Sequence, residues 1–333
     1  MAAPWLRETA VPRSRMKPDV KLTGDQTGRQ TPEHLAMTYI FDHTFKTAGT
    51  TFNLSYLPAA FQPEERCIVP GFLEPNRLEL ERLAALPAEE RGRFKVIAGH
   101  NAGRLRPVCP EARWLTLVRS PAERVISGYL HARFHGDAWE AVGREIHENN
   151  ISLAQFVELD LFARRYAEFV SMHDWQARTL LGPEWAPSLL KDRVAIAERI
   201  RSRFHLVGYC EAFERFLFFL HLTEGFPLVL FNNRLVSQER RAFYATAEDV
   251  LAIERYIQAD RVVYECARQE FDRRVAEIWN EERNRAYDRY LEALEEFRHA
   301  NRENMDATSL YSSGSPGPWP LRSSRGRIRP MNR

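Results

Sequence analysis

The sequence predicts an α/β fold of three layers with a mainly parallel central sheet. Three observations carry this. Short runs rich in β-branched and aromatic residues recur at Met37–Asp42, Phe94–His100, Trp114–Arg119 and Phe204–Tyr209. Such runs read as strands buried on both faces. Between them lie segments with apolar residues three to four apart, such as Val125, Ile126, Tyr129 and Leu130, the spacing of a helix with one buried face. Alternation of the two kinds is the pattern of a parallel sheet covered by helices. The 333 residues suffice for one large domain, and a hydrophobic content of 44% fits a packed core.

Taken in order, residues 1–33 are polar, basic and proline-containing, and read as a mobile tail. The first strand runs into a hydroxyl-rich turn and then a helix over Thr50–Ala60, ending near Pro58. Residues 61–75 read as loop. Leu78, Leu80, Leu83 and Leu86 mark a surface helix over Asn76–Leu86. Arg104–Arg113 reads as loop after the second long strand. Ser120 as N-cap, Pro121 at the first helical position and Glu123 as the far side of a capping box open the next helix. Two helices are expected within Ile151–Leu181, one over Glu211–Glu224, and a short strand over Leu228–Phe231. Thr246 caps a long helical run whose apolar spacing continues to Phe297. A run of that length either breaks or pairs with a partner. The core domain is therefore set at 34–280, a helical extension at 281–303, and a disordered basic tail at 304–333.

Composition narrows the function classes. The 47 Lys and Arg nearly balance 45 Asp and Glu, so no nucleic-acid partner is expected. Cys67, Cys109, Cys210 and Cys266 are scattered without C-x-x-C spacing, which argues against zinc and for reduced thiols. The most apolar region, Phe213–Phe231, is interrupted by Glu214, Arg215, His221, Glu224, Gly225 and Pro227, so no membrane span is expected. No apolar leader follows Met1, and the expected location is cytoplasmic.

The chemistry concentrates at the first turn: Thr44, Phe45, Lys46, Thr47, Ala48, Gly49, Thr50 and Thr51. A strand, a small hydroxyl-rich loop and a helix together make an anion site. Free N–H groups at the helix start and the helix dipole favour negative charge. Lys46 adds a cation and the threonines add hydroxyl donors. This is no Walker A loop, because the lysine precedes the only glycine. Arg119 at the end of a strand and Ser127 in the following helix suit a second phosphate. Arg124 fits a structural ion pair or a ligand contact equally well. His100 ends a strand at the same sheet edge, where an imidazole of reference pKa ~6.5 suits a general base. His43 reads as structural, and His131 and His135 are alternative bases.

The run His43–Thr51 resembles the 5′-phosphosulfate loop of the PAPS-dependent sulfotransferases (PAPS is 3′-phosphoadenosine 5′-phosphosulfate). In the branch with the heparan sulfate 2-O- and 6-O-sulfotransferases and bacterial carbohydrate sulfotransferases, that loop reads H-x-P-K-T-(G/A)-(G/S)-T-(T/S). Phe45 stands at the proline. Val118–Ser127 resembles the family's 3′-phosphate motif, (L/V)-R-(D/N)-P-x-x-R-x-x-S, with Ser120 at the acidic or amide position. Gly99-His100 looks like the pair that supplies the catalytic base in these relatives. His173–Gly182 is similar to N-x-Q-(T/A)-R-x-L-x-G, which would set Gln176 and Arg178 on the acceptor side. Asn232–Arg241 occupies the place of a loop that closes over the nucleotide, with Arg234 as its contact.

The resemblance covers His34–Glu277. It implies sulfuryl transfer from PAPS to a hydroxyl, with a carbohydrate as the expected acceptor and no metal. His100 and Lys46 would be catalytic; Lys46, Thr47, Ala48, Gly49, Thr50, Thr51, Arg119, Ser127 and Arg234 would bind the nucleotide. Arg104, Arg106 and Arg113, near His100 in sequence, suit an anionic acceptor. Two other readings stay open: a kinase-like phosphotransferase, and a non-catalytic nucleotide-binding assembly protein that forms homo-oligomers through its C-terminal helix.

Overall fold

The computed structural model describes residues 37–69, 71, 74–134, 140–165, 173–233 and 243–301. Among these residues five strands form one sheet: β1 (Tyr39–Asp42), β2 (Arg66–Ile68), β3 (Val96–Gly99), β4 (Arg113–Val118) and β5 (Leu206–Tyr209). Their order is β2-β3-β1-β4-β5 and every neighbouring pair is parallel. From β1 the chain moves out to the edge at β2, returns through β3, then crosses to the other side of β1 for β4 and β5. The direction of winding therefore reverses at β1, and crevices that bind ligands form beyond the carboxyl ends of strands at such a point.

The strand residues explain the layers. Side chains alternate across a sheet with period two. Tyr39, Phe41, Val96, Ala98, Leu115, Leu117 and Leu206 join one core cluster. Ile40, Ile97, Trp114, Val118 and Val207 join another. Helix Phe213–Glu224 covers the first face through Phe216, Leu217 and Phe219. Helices Trp175–Leu181, Arg193–Arg203 and Gln258–Ile278 cover the second through Leu180, Ile196 and Val263. Burial on both faces is why these strands read as nearly continuous apolar runs.

Several elements differ from expectation. Arg66–Ile68 forms the edge strand β2 within the predicted loop. Its three residues are only half-buried, and pairing of Arg66–Ile68 with Val96–Ala98 of β3 makes it a strand. Leu228–Phe231 forms no strand. Its neighbourhood gives its carbonyls to side chains instead: the Tyr56 hydroxyl donates to Pro227 at 2.9 Å, the Tyr290 hydroxyl to Val229 at 3.3 Å, and Arg298 Nε to Phe231 at 3.3 Å. Among the described residues, three helices rather than two lie within Ile151–Leu181: Leu153–Glu158, Leu161–Arg165 and Trp175–Leu181.

The long C-terminal run breaks into helices Ala247–Tyr256, Gln258–Ile278 and Glu281–Ala300. Thr246 caps the first, in a capping box with Asp249, and Asn280 caps the last. Tyr287, Tyr290 and Leu294 of the last helix are buried in the same cluster as β1, so these apolar residues pack against their own chain. No helix among the described residues is long and apolar enough to cross a membrane. The expected tails, Arg234 and His135 lie outside the described residues.

Candidate active site

β3, β1 and β4 are adjacent, so the segments leaving their carboxyl ends meet. These are His100, the loop 43–48 and Arg119. The register pairs Asp42 with Gly99, which puts the next residues, His43 and His100, side by side. Their rings stack with centroids 3.8 Å apart, and His43 N donates to the Gly99 carbonyl at 2.9 Å. His100 Nδ1 donates to the His43 carbonyl at 2.8 Å. A donor at Nδ1 leaves the lone pair of the neutral ring on Nε2.

The loop is held from below. The Thr116 hydroxyl donates to the Asp42 carbonyl at 2.6 Å and lies 3.2 Å from the Thr44 hydroxyl. The Thr47 hydroxyl donates to the Thr44 carbonyl at 2.8 Å. Phe45 is buried near Phe162 and Trp175, with ring centroids 5.9 and 6.1 Å away, so an aromatic anchor fixes the position where the resembling pattern has proline. Lys46 and Ala48 both adopt φ 62°, left-handed backbone that L-residues reach only at a cost. Such turns aim successive N–H groups into a concavity that binds anions. Gly49 opens the helix, and its lack of a side chain is obligatory: a Cβ there would lie 1.8 Å from His43 Cδ2. Gly99 is required in the same way, since its Cβ would lie 2.7 Å from Val69 Cβ.

Lys46, Ala48 and Thr50 are half-buried, whereas Thr47, Gly49 and Thr51 are buried. The Thr47 hydroxyl therefore acts within the loop rather than as an open donor. Burial, and then the Arg119 guanidinium, pull the Lys46 ammonium down to about 8. Burial pushes His100 down to about 3; the bond to the His43 carbonyl opposes this and Lys46 adds to it. His43 is driven the same way, chiefly by burial. The site thus crowds cations, and added protons on Lys46, His100 and His43 are disfavoured. A bound polyanion would reverse both effects.

Arg119 follows β4, and its backbone is clamped by the buried Gln176 side chain. Arg119 N donates to Gln176 Oε1 at 2.7 Å, and Gln176 Nε2 donates to the Arg119 carbonyl at 3.0 Å. The guanidinium reaches the Lys46 carbonyl at 3.4 Å and Glu123 at 3.5 Å. Ser127 is half-buried farther along helix Pro121–Phe134, as is His131. Gln176 is therefore a structural clamp, and Arg178, on the same helix, is exposed.

The structure also decides Arg124. It is fully buried and paired with the equally buried Asp260 at 2.9 Å. Asp260 accepts from Ala177 N at 2.8 Å, and Asp174 from Ala259 N at 3.2 Å. This network docks helix Gln258–Ile278 and the Gln176 helix behind Arg119. Arg106 and Arg113 do not gather at His100: Arg106 lies over the Trp114 ring, and Arg113, the first residue of β4, binds Glu224. Sequence reasoning missed Thr116, Asp174 and Asp260. Each leaves a signal: a hydroxyl inside the apolar run Trp114–Val118, and carboxylates where helices begin.

The site thus pairs a concave, cationic loop with a neutral imidazole whose lone pair is on Nε2. With an anion bound beside it, such an arrangement can take up the proton that burial and the neighbouring cations otherwise disfavour. Compared with known proteins, the chain matches no family model and no curated sequence.

Proposed function

We propose that the chain is a sulfotransferase that moves a sulfuryl group from PAPS to a carbohydrate hydroxyl. One observation carries the reading. Lys46, His100 and Arg119, the residues that the motif resemblance names, leave three adjacent parallel strands at one edge, where the winding reverses. The loop 43–48 and the helix start would hold the 5′-phosphosulfate. Arg119 and Ser127 would hold the 3′-phosphate.

The acceptor oxygen forms a bond to sulfur while the bond from sulfur to the 5′-phosphate oxygen breaks. The electron pair leaves with 3′,5′-ADP, and the hydroxyl proton passes to His100 Nε2. Charge grows on the departing oxygen, where the Lys46 ammonium and the loop amides oppose it. Positioning and electrostatics supply the catalysis, as in phosphoryl transfer.

The test is incubation with sulfur-labelled PAPS and a panel of glycans, lipids and phenols. Label in a glycan supports the reading, and label in none of them contradicts it. A kinase-like phosphotransferase would need the same sheet edge. Binding of ATP with Mg²⁺ but not of 3′,5′-ADP would favour it.

A further inference from the structure

The opposite edge of the sheet carries a second concentration of cations. A cavity of about 330 Å³ opens at the amino-terminal ends of β4 and β5. Arg106, Arg113, Arg201, Arg203 and His205 line it, and none of its lining residues among those described is acidic. One buried carboxylate organises part of the wall. Glu224, with a side chain 5% exposed, binds Arg113 and accepts from His205 Nε2 at 2.8 Å and the Tyr39 hydroxyl at 2.7 Å. Arg106 is fixed by stacking, 4.1 Å from the Trp114 centroid and 4.7 Å from that of Phe204.

Donors remain after these contacts. A guanidinium carries five N–H groups. Among the described residues, Arg113 and Arg201 make their side-chain bonds through Nη1, to Glu224 and Tyr39 and to Glu270 respectively. Arg106 Nη2 and Arg203 Nε, which have no hydrogen-bond partner among the described residues, are buried and do not open on the cavity, so the donors that remain are those of Arg113 and Arg201. The carboxylates around this wall are already engaged. Glu270 also binds Arg273, Glu184 binds Arg199, and the buried Asp42 faces Arg106 and Arg203 and accepts from the Gly103 and Ala102 amides. The arginines repel one another: burial first, and then Arg203, lower the Arg106 pKa to about 10.

The geometry points to an anion-binding site for a phosphate or sulfate monoester the size of one sugar residue. Guanidinium forks match a tetrahedral oxyanion, and the volume lies at the small end of ligand pockets. The site opens at the amino-terminal end of β4, a strand of about 20 Å whose carboxyl end leads to Arg119. It does not depend on the sulfuryl-transfer reading.

The test is calorimetric titration of the full chain with glucose 6-phosphate, glucose 6-sulfate, glucose and dextran sulfate. The variants are Arg203→Gln, Arg201→Gln and Lys46→Ala. Arg201 pairs with Glu270 at the surface, so its variant keeps the proposal testable should Arg203→Gln fail to fold. The expected result is saturable binding of one monoester per chain and none of glucose. Each arginine variant should weaken it roughly tenfold or more, the scale of one charge-assisted hydrogen bond, and Lys46→Ala should leave it unchanged. Competition by dextran sulfate would mean that polymer-borne esters enter the same site; its failure to compete would restrict the site to small esters. Three results would overturn the proposal: a Kd weaker than about 10 mM for both monoesters, binding of dextran sulfate alone, or binding lost in Lys46→Ala but kept in both arginine variants.

Discussion

Arg119 and Arg124 stand five residues apart on one segment and do opposite work. Arg124 is fully buried and has its own carboxylate, Asp260, at 2.9 Å. Arg119 is partly exposed, reaches Glu123 only at 3.5 Å, and crowds Lys46. Behind the site, charge is matched within the chain. At the carboxyl edge of the sheet, Lys46 and Arg119 crowd one another. The difference separates the arginine that holds the fold from the arginine to which the proposed function gives a phosphate.

The largest expected effect is on the matched side. Arg124→Ala would leave Asp260 buried and uncompensated, which costs about 3–5 kcal/mol. Urea titration reads this directly, and a loss under about 1 kcal/mol would mean that the network does not hold the helices. On the unmatched side, His100→Ala should fold normally and lower turnover by roughly 10²–10⁴-fold.

The pH profile sharpens the same contrast. Burial and Lys46 hold His100 near 3, so the imidazole stays unprotonated well below its ordinary pKa. The acid limb of kcat/KM, which reports the free enzyme, should therefore lie far below pH ~6.5. Bound phosphates favour the imidazolium, so the acid limb of kcat should lie at higher pH than that of kcat/KM. Limbs in the reverse order would contradict the charge balance described for the site.

Smaller effects follow at Arg119 and Ala48. Arg119→Ala should keep its melting temperature and weaken 3′,5′-ADP by about 1.5–3 kcal/mol, the worth of hydrogen bonds to a charged group. Equal losses of stability in Arg119→Ala and Arg124→Ala would erase the distinction between them. Ala48→Gly relieves a left-handed alanine and should stabilise the fold by up to about 1 kcal/mol, read by thermal melting.

What was legible in the sequence follows from what is local. β1, β3, β4 and β5 announce themselves because strands buried on both faces need continuous apolar runs. The loop around Lys46 is legible because its glycine, lysine and threonines are consecutive. β2 is not, since Arg66–Ile68 takes its identity from its neighbour β3. Nor is the division of labour between Arg119 and Arg124, because Asp260 lies 136 residues from Arg124 in the chain. Gln176 misleads for the same reason: its partner is the backbone of Arg119, 57 residues away.

The most direct test of the central claim, that the unmatched cations at the carboxyl edge form a nucleotide site with a place for a 3′-phosphate, is thermal melting with 3′,5′-ADP or 5′-AMP in metal-free buffer. At a hundred times its dissociation constant a ligand adds ~2.7 kcal/mol of stability. The account predicts a clear upward shift with 3′,5′-ADP, a much smaller one with 5′-AMP at the same concentration, and loss of that difference in Arg119→Ala. Equal shifts from the two nucleotides in the wild-type chain would contradict it.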